Sequence, residues 1–445
     1  MFPYLPQTER DIKEMLEVIG AESVDDLFSD IPDDIYRKEP LNLSRGISEY
    51  DVYKKMSALA QKNKRGISFL GCGSYDHLIP SVVKHIIQQP TFYTAYTPYQ
   101  GEISQGVLQS IFEFQTHICE LTGLDVSNAS LYDGHTAASE AVTMALNTRK
   151  KADTILISDT VHPHTLEVIK TFFSDNDVKF KVLKSKNYLT DLDELKAHLD
   201  ESVAAVLVQT PNFFGYVEDL EGFADAVHAN KSLFIISSNP MSLGILKSQA
   251  EWGADIAIGD TQVFGLDKYF GGPTVGYMAA TSKLMRKIPG RIVGQTVDKD
   301  GKRAFVLTLQ AREQHIKRER ATSNICSNQA LAALASAVYL STVGWSGLKQ
   351  AVELSSGKAH YLYERLTEDL GLKPLAENNF LYEFTVHIPD ARNVLKELEK
   401  EGIYGGVSLR RFYPEMKDAV TIAVTEKRSK EEIDRLVDLL KRVVK

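Results

Sequence analysis

The chain has 445 residues, of which 43% are hydrophobic and 25% charged, and a formal net charge of −8. That length predicts two or three domains around a large core needing no metal or disulfide staple, and the negative charge argues against a general nucleic-acid binder. Three widely spaced cysteines, Cys72, Cys119 and Cys326, form no disulfide framework and no C-x-x-C pair, so a reducing, cytoplasmic setting is expected.

The first residues carry neither a basic stretch nor an apolar run of signal-peptide type, and no apolar run reads as long enough to span a membrane. Residues 8–19 predict a helix capped by Thr8, with Ile12, Met15, Leu16 and Ile19 on one face and Gly20 as its stop. A second helix is expected from Ser48. Residues 1–63 thus form a helical arm that packs on the main body or reaches over a partner subunit. A short strand at 67–70 runs into Gly71-Cys72-Gly73-Ser74, where Asp76 stands in place of the third glycine of a dinucleotide loop. The aromatic stretch 92–102 is too rich in proline and glycine for a regular strand. Its Tyr96, Tyr99 and Glu102 offer hydroxyls and a carboxylate to a pocket.

An alanine-rich helix, 137–147, follows Asp133-Gly134-His135, and its free N–H groups could meet an anion. From there, apolar strands at 154–158, 180–183, 204–208, 233–237 and 255–258 alternate with helices near 164–173, 191–199, 219–229 and 242–250. Strands without polar alternation are buried on both faces, as in a parallel α/β sheet. The run 275–280 follows with no helix between and is expected to be antiparallel. Residues 283–320 are basic, with eleven Lys and Arg against four Asp and Glu. They read as a loop to 303 and a helix from 310 to 320. A helix at 324–340 then leaves the large domain (64–323) for a small α+β domain within 324–445. That domain reads helix 350–368, strand 381–386, helix 391–401, strand 420–424 and helix 429–444.

The stretch 259–278 reads strand, glycine-rich loop, strand, and carries one lysine, Lys268. A loop of this kind is where an enzyme using an aldehyde cofactor keeps its Schiff-base lysine. No G-x-S-x-G, Walker or H-E-x-x-H motif competes with that reading. His162-Pro163-His164 near Asp159 has spacing interrupted by proline, and His135 is distant in sequence, so no metal centre is expected. A parallel sheet with loops at its strand ends and a C-terminal small domain is the general plan of pyridoxal-phosphate enzymes.

The stretches YTPYQGEISQG (96–106), YDGHTAASEA (132–141), QTPNFFGYVEDL (209–220), SSNPMSLGIL (237–246), GADIAIGDTQVFG (253–265), FGGPTVGYMA (270–279), GRIVGQTVD (290–298) and REQHIKRERATSNICSNQAL (312–331) resemble the P-protein of the glycine cleavage system. Within that family they are most similar to the α chain, subunit 1, of the two-chain form. The resemblance implies the aminotransferase-like fold type I. It implies glycine decarboxylation with pyridoxal phosphate, and transfer of the aminomethyl group to the lipoyl arm of the H-protein. It also implies an α2β2 tetramer whose cofactor lysine belongs to the β chain, the α chain completing the site. In cofactor-bearing copies the lysine lies about ten residues before Gly271-Gly272-Pro273. Here Gln262 and Val263 occupy that place, and Lys268 reads as an exposed loop residue. The strand 233–236 ends in Ser237-Ser238-Asn239, where an aspartate would pair with the pyridine nitrogen. His135 falls near the residue that stacks on the ring in related folds, or is simply a helix-cap histidine. Cofactor binding by this chain is therefore not expected, and Tyr96, Tyr99 and Glu102 are candidates to line a site shared with the β chain. The basic segment 283–320 could steer an acidic H-protein, contact the β chain or be solvated. The alternatives are a self-sufficient pyridoxal-phosphate enzyme using Lys268 and a non-catalytic scaffold for the β chain.

Overall fold

The computed structural model describes residues 4–37, 39–269 and 271–444; Phe270 of the FGGPTVGYMA motif lies outside them. The chain divides into two compact units, Met1–Lys64 and Arg65–Lys445. In the first, helix Glu9–Ile19 starts at a reciprocal capping box between Thr8 and Asp11 and stops at left-handed Gly20. Helix Glu49–Ala60 is capped by Ser48. Neither helix buries a residue, and Val18, Ile19 and Met56 are exposed.

The second unit is built on a seven-stranded sheet. Its spatial order is Val126–Ser127, Gly276–Ala280, Ile256–Asp260, Leu233–Ser237, Val203–Gln209, Thr154–Ser158 and Lys179–Leu183. The last five strands in that order are mutually parallel, and Gly276–Ala280 runs against both its neighbours. Strands such as Thr154–Ser158 and Gly276–Ala280 are buried at every residue, which accounts for their unbroken apolar pattern. Gly276 is obligatory, because a Cβ there would overlap the Asp133 carbonyl. A three-stranded antiparallel sheet, Glu383–His387, Ala419–Ala423 and Val407–Ser408, lies in the C-terminal part.

Five expectations need correction. The segment predicted as a helix at 242–250 is a short 3-10 turn, Pro240–Gly244, started by Asn239 capping Met241. Residues 283–303, read as a loop, contain most of an antiparallel hairpin, Ile292–Val297 with Arg303–Thr308, followed by short helical turns rather than one helix. The two helices expected at 324–340 and 350–368 join as Ala330–Glu364, bent at Gly344, whose φ of 59° other residues rarely adopt. This helix is also long and apolar enough to cross a membrane by composition, contrary to the sequence reading. Half of its most apolar window is buried inside the protein, the pattern of a core helix.

Candidate functional site

A cavity of about 480 Å3 opens at the carboxyl ends of the parallel strands. Gln209, Ser237 and Asp260, each the last residue of its strand, form the floor. The first turns of helices Gly134–Thr148 and Pro163–Phe172 supply His135 and His164, and the 262–274 loop with Tyr75 and Glu383 closes the sides. Ligands in open α/β sheets bind at this position.

The cavity uses its own polar groups. Asp260 accepts hydrogen bonds from the N–H of Gly134 (3.0 Å), the N–H of Gln262 (2.8 Å) and the Thr274 hydroxyl. Burial raises its carboxyl to about 6, against those hydrogen bonds. Asp133 caps the same helix through Thr136 N (2.8 Å). The helix N-terminus, with its partial positive charge, thus already holds two carboxyl groups of the chain. Opposite, Glu383 accepts from Cys72 N (2.6 Å) and the Tyr75 hydroxyl (2.8 Å), and burial raises it to about 7. A Cβ on Gly71 would overlap this carboxylate, so Gly71 makes room for Glu383.

The structure brings His135, His162 and His164 together, with ligand atoms within 4.8 Å of one another, because the two helix starts are adjacent in space. Distance along the sequence was a poor guide here. His162 has both ring nitrogens engaged: Nδ1 accepts from His164 N (3.1 Å) and Nε2 lies 3.2 Å from the Cys72 carbonyl. Burial holds His162 at about 3, and His135, with Nδ1 2.8 Å from the Thr165 hydroxyl, is lowered for the same reason.

Gln262, Val263, Ser238 and Lys268 all line this cavity. The Gln262 side chain is clamped: Oε1 accepts from Tyr75 N (2.9 Å), while Nε2 donates to Tyr75 O (3.0 Å) and Leu266 O (2.9 Å). Lys268 is not the exposed loop residue expected. It is half-buried, donates to the Ser68 hydroxyl at 2.8 Å, and burial lowers its amine below the usual lysine range.

The aromatic segment lies elsewhere. Tyr96 is 81% and Tyr99 52% exposed, Glu102 is exposed, and none of the three lines the cavity. Their loop is tied to the hairpin by Gln105, which donates to Gly101 O (2.7 Å) and Phe305 O (2.9 Å) and accepts from Phe305 N (2.8 Å). Tyr99 accepts a hydrogen bond from Arg291, which precedes the same hairpin.

The glycine cleavage system P-protein family model matches residues 3–440. The chain belongs to that family. It is 51% identical over 440 residues to a probable glycine dehydrogenase (decarboxylating) subunit 1 of Carboxydothermus hydrogenoformans, covering 98% of this chain and 99% of that one. The protein of the same description from Geobacillus thermodenitrificans is 50% identical over 442 residues, covering 98% of each. Among solved structures, a glycine decarboxylase (P-protein) in inhibitor-bound form superposes with a TM-score of 0.93 at 40% identity, over 99% of this chain and 100% of that one. An alanine–glyoxylate aminotransferase from Nostoc, 19% identical with a TM-score of 0.59 over 93% and 99% of the two chains, shows the shared fold alone. The fold is the α/β, aminotransferase-like fold type I expected from the sequence.

Sequence reading missed Asp260 and Glu383. Asp260 had a signal, since it ends the IAIGD strand next to the strand where an aspartate was sought. Glu383 had none; its partners, Cys72 and Tyr75, are more than 300 positions away.

Proposed function

We propose that this chain is the α chain, subunit 1, of glycine dehydrogenase (decarboxylating), active with a β subunit that carries the pyridoxal phosphate. In this reading an arm (1–63), a large domain (64–323) and a small domain (324–445) assemble as α2β2 in the cytoplasm. The complex takes glycine and the lipoyl arm of the H-protein as substrates. What supports placing the cofactor on the partner is a cavity whose polar groups are already paired with one another. Gln262 and Val263 occupy the expected lysine position, and Gln262 is committed to three hydrogen bonds. The helix start that could cradle a phosphate is filled by Asp260 and Asp133. Ser237 and Ser238 supply no negative charge for a pyridine nitrogen. These residues do not fit a cofactor bound to this chain. On the β subunit, the cofactor would supply the electron sink for the pair left when CO2 departs.

The part left to this chain is on its outside. Tyr96, Tyr99 and Glu102 present two phenols and a carboxylate to a surface, where they would complete the partner's site. The exposed residues Arg303, Lys317, Arg318 and Arg320 would meet an acidic H-protein, whereas Arg291, only 6% exposed, is withdrawn from any steering role. The test is purification of the chain alone with pyridoxal phosphate. We expect no absorbance band of a cofactor–lysine adduct, and glycine decarboxylation only after the β subunit is added. A band abolished both by borohydride and by Lys268→Ala would overturn this reading in favour of a self-sufficient enzyme.

A further inference from the structure

Behind Tyr99 lies a buried charged cluster that the cavity does not use. Arg291 Nη2 donates to the Tyr99 hydroxyl oxygen at 3.0 Å, and its guanidinium carbon lies 5.3 Å from the ring centroid. The Glu313 carboxylate stands 3.9 Å from Arg291 Nε, a charge contact too long for a hydrogen bond, with both side chains 6% exposed. Arg291 Nε and Glu313 Oε1 are buried without a hydrogen-bond partner. His315 Nδ1 lies 3.6 Å from the same carboxylate, and its ring meets Tyr99 edge-on at 6.2 Å.

A buried ion pair with unmet hydrogen-bonding capacity is a poor source of stability, and replacement by apolar residues is often neutral or better. Its return must be sought in what it holds. The base of Arg291 is fixed, because its carbonyl accepts from Ala129 N (2.8 Å), and Gln115 both donates to Val293 O (3.0 Å) and accepts from Val293 N (2.9 Å). The Tyr99 oxygen accepts the guanidinium hydrogen bond, so its own O–H is left to donate outward.

We propose that Arg291, backed by Glu313, is a positioning residue that aims the Tyr99 hydroxyl as a hydrogen-bond donor toward an anionic oxygen in the site shared with the β subunit. This rests on the reading that residues 96–102 face that site. The oxygen belongs to the carboxylate of the amino-acid substrate or to the phosphate of the partner's cofactor.

The test uses the assembled complex with lipoyl H-protein and the variants Tyr99→Phe, Arg291→Gln, Arg291→Lys and the Tyr99→Phe/Arg291→Gln double. Loss of one hydrogen bond to a charged group predicts roughly a 10-fold fall in kcat/KM for Tyr99→Phe and for Arg291→Gln. Arg291→Lys should recover activity to within about 3-fold, and the double variant should be no worse than Tyr99→Phe alone. A rise in KM for glycine at unchanged cofactor affinity assigns the oxygen to the substrate, and weaker cofactor retention at unchanged KM assigns it to the phosphate. If Arg291→Gln is as damaging in the Tyr99→Phe background as in the parent, or harmless in the parent, the positioning role is wrong. Full turnover of Tyr99→Phe in an intact complex sinks the shared-site reading itself. Should Arg291→Gln not assemble with the β subunit, Arg291→Lys and its double with Tyr99→Phe carry the same comparison.

Discussion

The cavity at the strand ends and the surface around Tyr99 treat their polar groups in opposite ways. In the cavity, Asp260, Gln262 and Glu383 are each matched to donors or acceptors of the chain itself. At the surface, a buried arginine and a buried glutamate keep unpaired atoms beside a half-exposed phenol. A site whose polar groups satisfy one another leaves few of them for a ligand, and a site left unsatisfied next to solvent is where a partner or ligand has something to add.

That contrast predicts stability effects from the cavity and turnover effects from the surface. The largest effect is expected for Gln262→Lys. It strips the partners from Tyr75 N–H, Tyr75 O and Leu266 O, and should destabilise the chain by about 3 kcal/mol in urea unfolding without creating a borohydride-fixable cofactor. A stable variant that retained pyridoxal phosphate would break the contrast at its root.

Next comes pH. Burial raises Asp260 to about 6 and Glu383 to about 7, from 3.8 and 4.5. The folded state therefore holds these protons more tightly than the unfolded chain, and their contribution is full at low pH and lost as pH rises through 6 to 7. The loss from Asp260 is on the order of 3 kcal/mol at most. Glu383→Gln should flatten the fall in stability between pH 4.5 and 7, measured by thermal unfolding at fixed salt. An unchanged slope would show that Glu383 is not held protonated.

Smaller effects are expected at the surface. Charge reversal at Arg303 and Lys317 should raise the apparent KM for H-protein by about 3- to 10-fold, with the difference shrinking as salt is added. Equal kinetics in an intact complex would remove steering from the account. The smallest effect belongs to Lys268→Ala. With its amine tied to Ser68, the lysine is a cavity strut, and turnover of the complex should stay within about 2-fold of the parent. A large fall would return chemistry to the cavity.

Much of the sheet was legible because its strands are apolar on both faces and bounded by turn residues, and the antiparallel placement of 276–280 followed from the missing helix. The hairpin 292–308 was not legible. Its exposed residues, Thr296, Val297 and Arg303 among them, break the alternation of a half-buried strand, and its backbone is tied down by Gln105 and Gln115 from a distant helix. That Gln262 and Val263 belong to the cavity loop could be read by counting back from Gly271-Gly272-Pro273. The clamp on Gln262 could not, because it joins residues 187 positions apart. The same limit hid the histidine cluster and the contact of Arg291 with Tyr99, both made between segments apart in sequence.

The Gln262 clamp also limits what one substitution in the cavity can achieve. A lysine at 262 would undo the hold on Tyr75, while Asp260 would still block the helix start and Ser237 would still offer a pyridine ring no charge. A single substitution at 262 would therefore leave the rest of the cavity unchanged, and altering its chemistry would take changes at Gln262, Asp260 and Ser237 together.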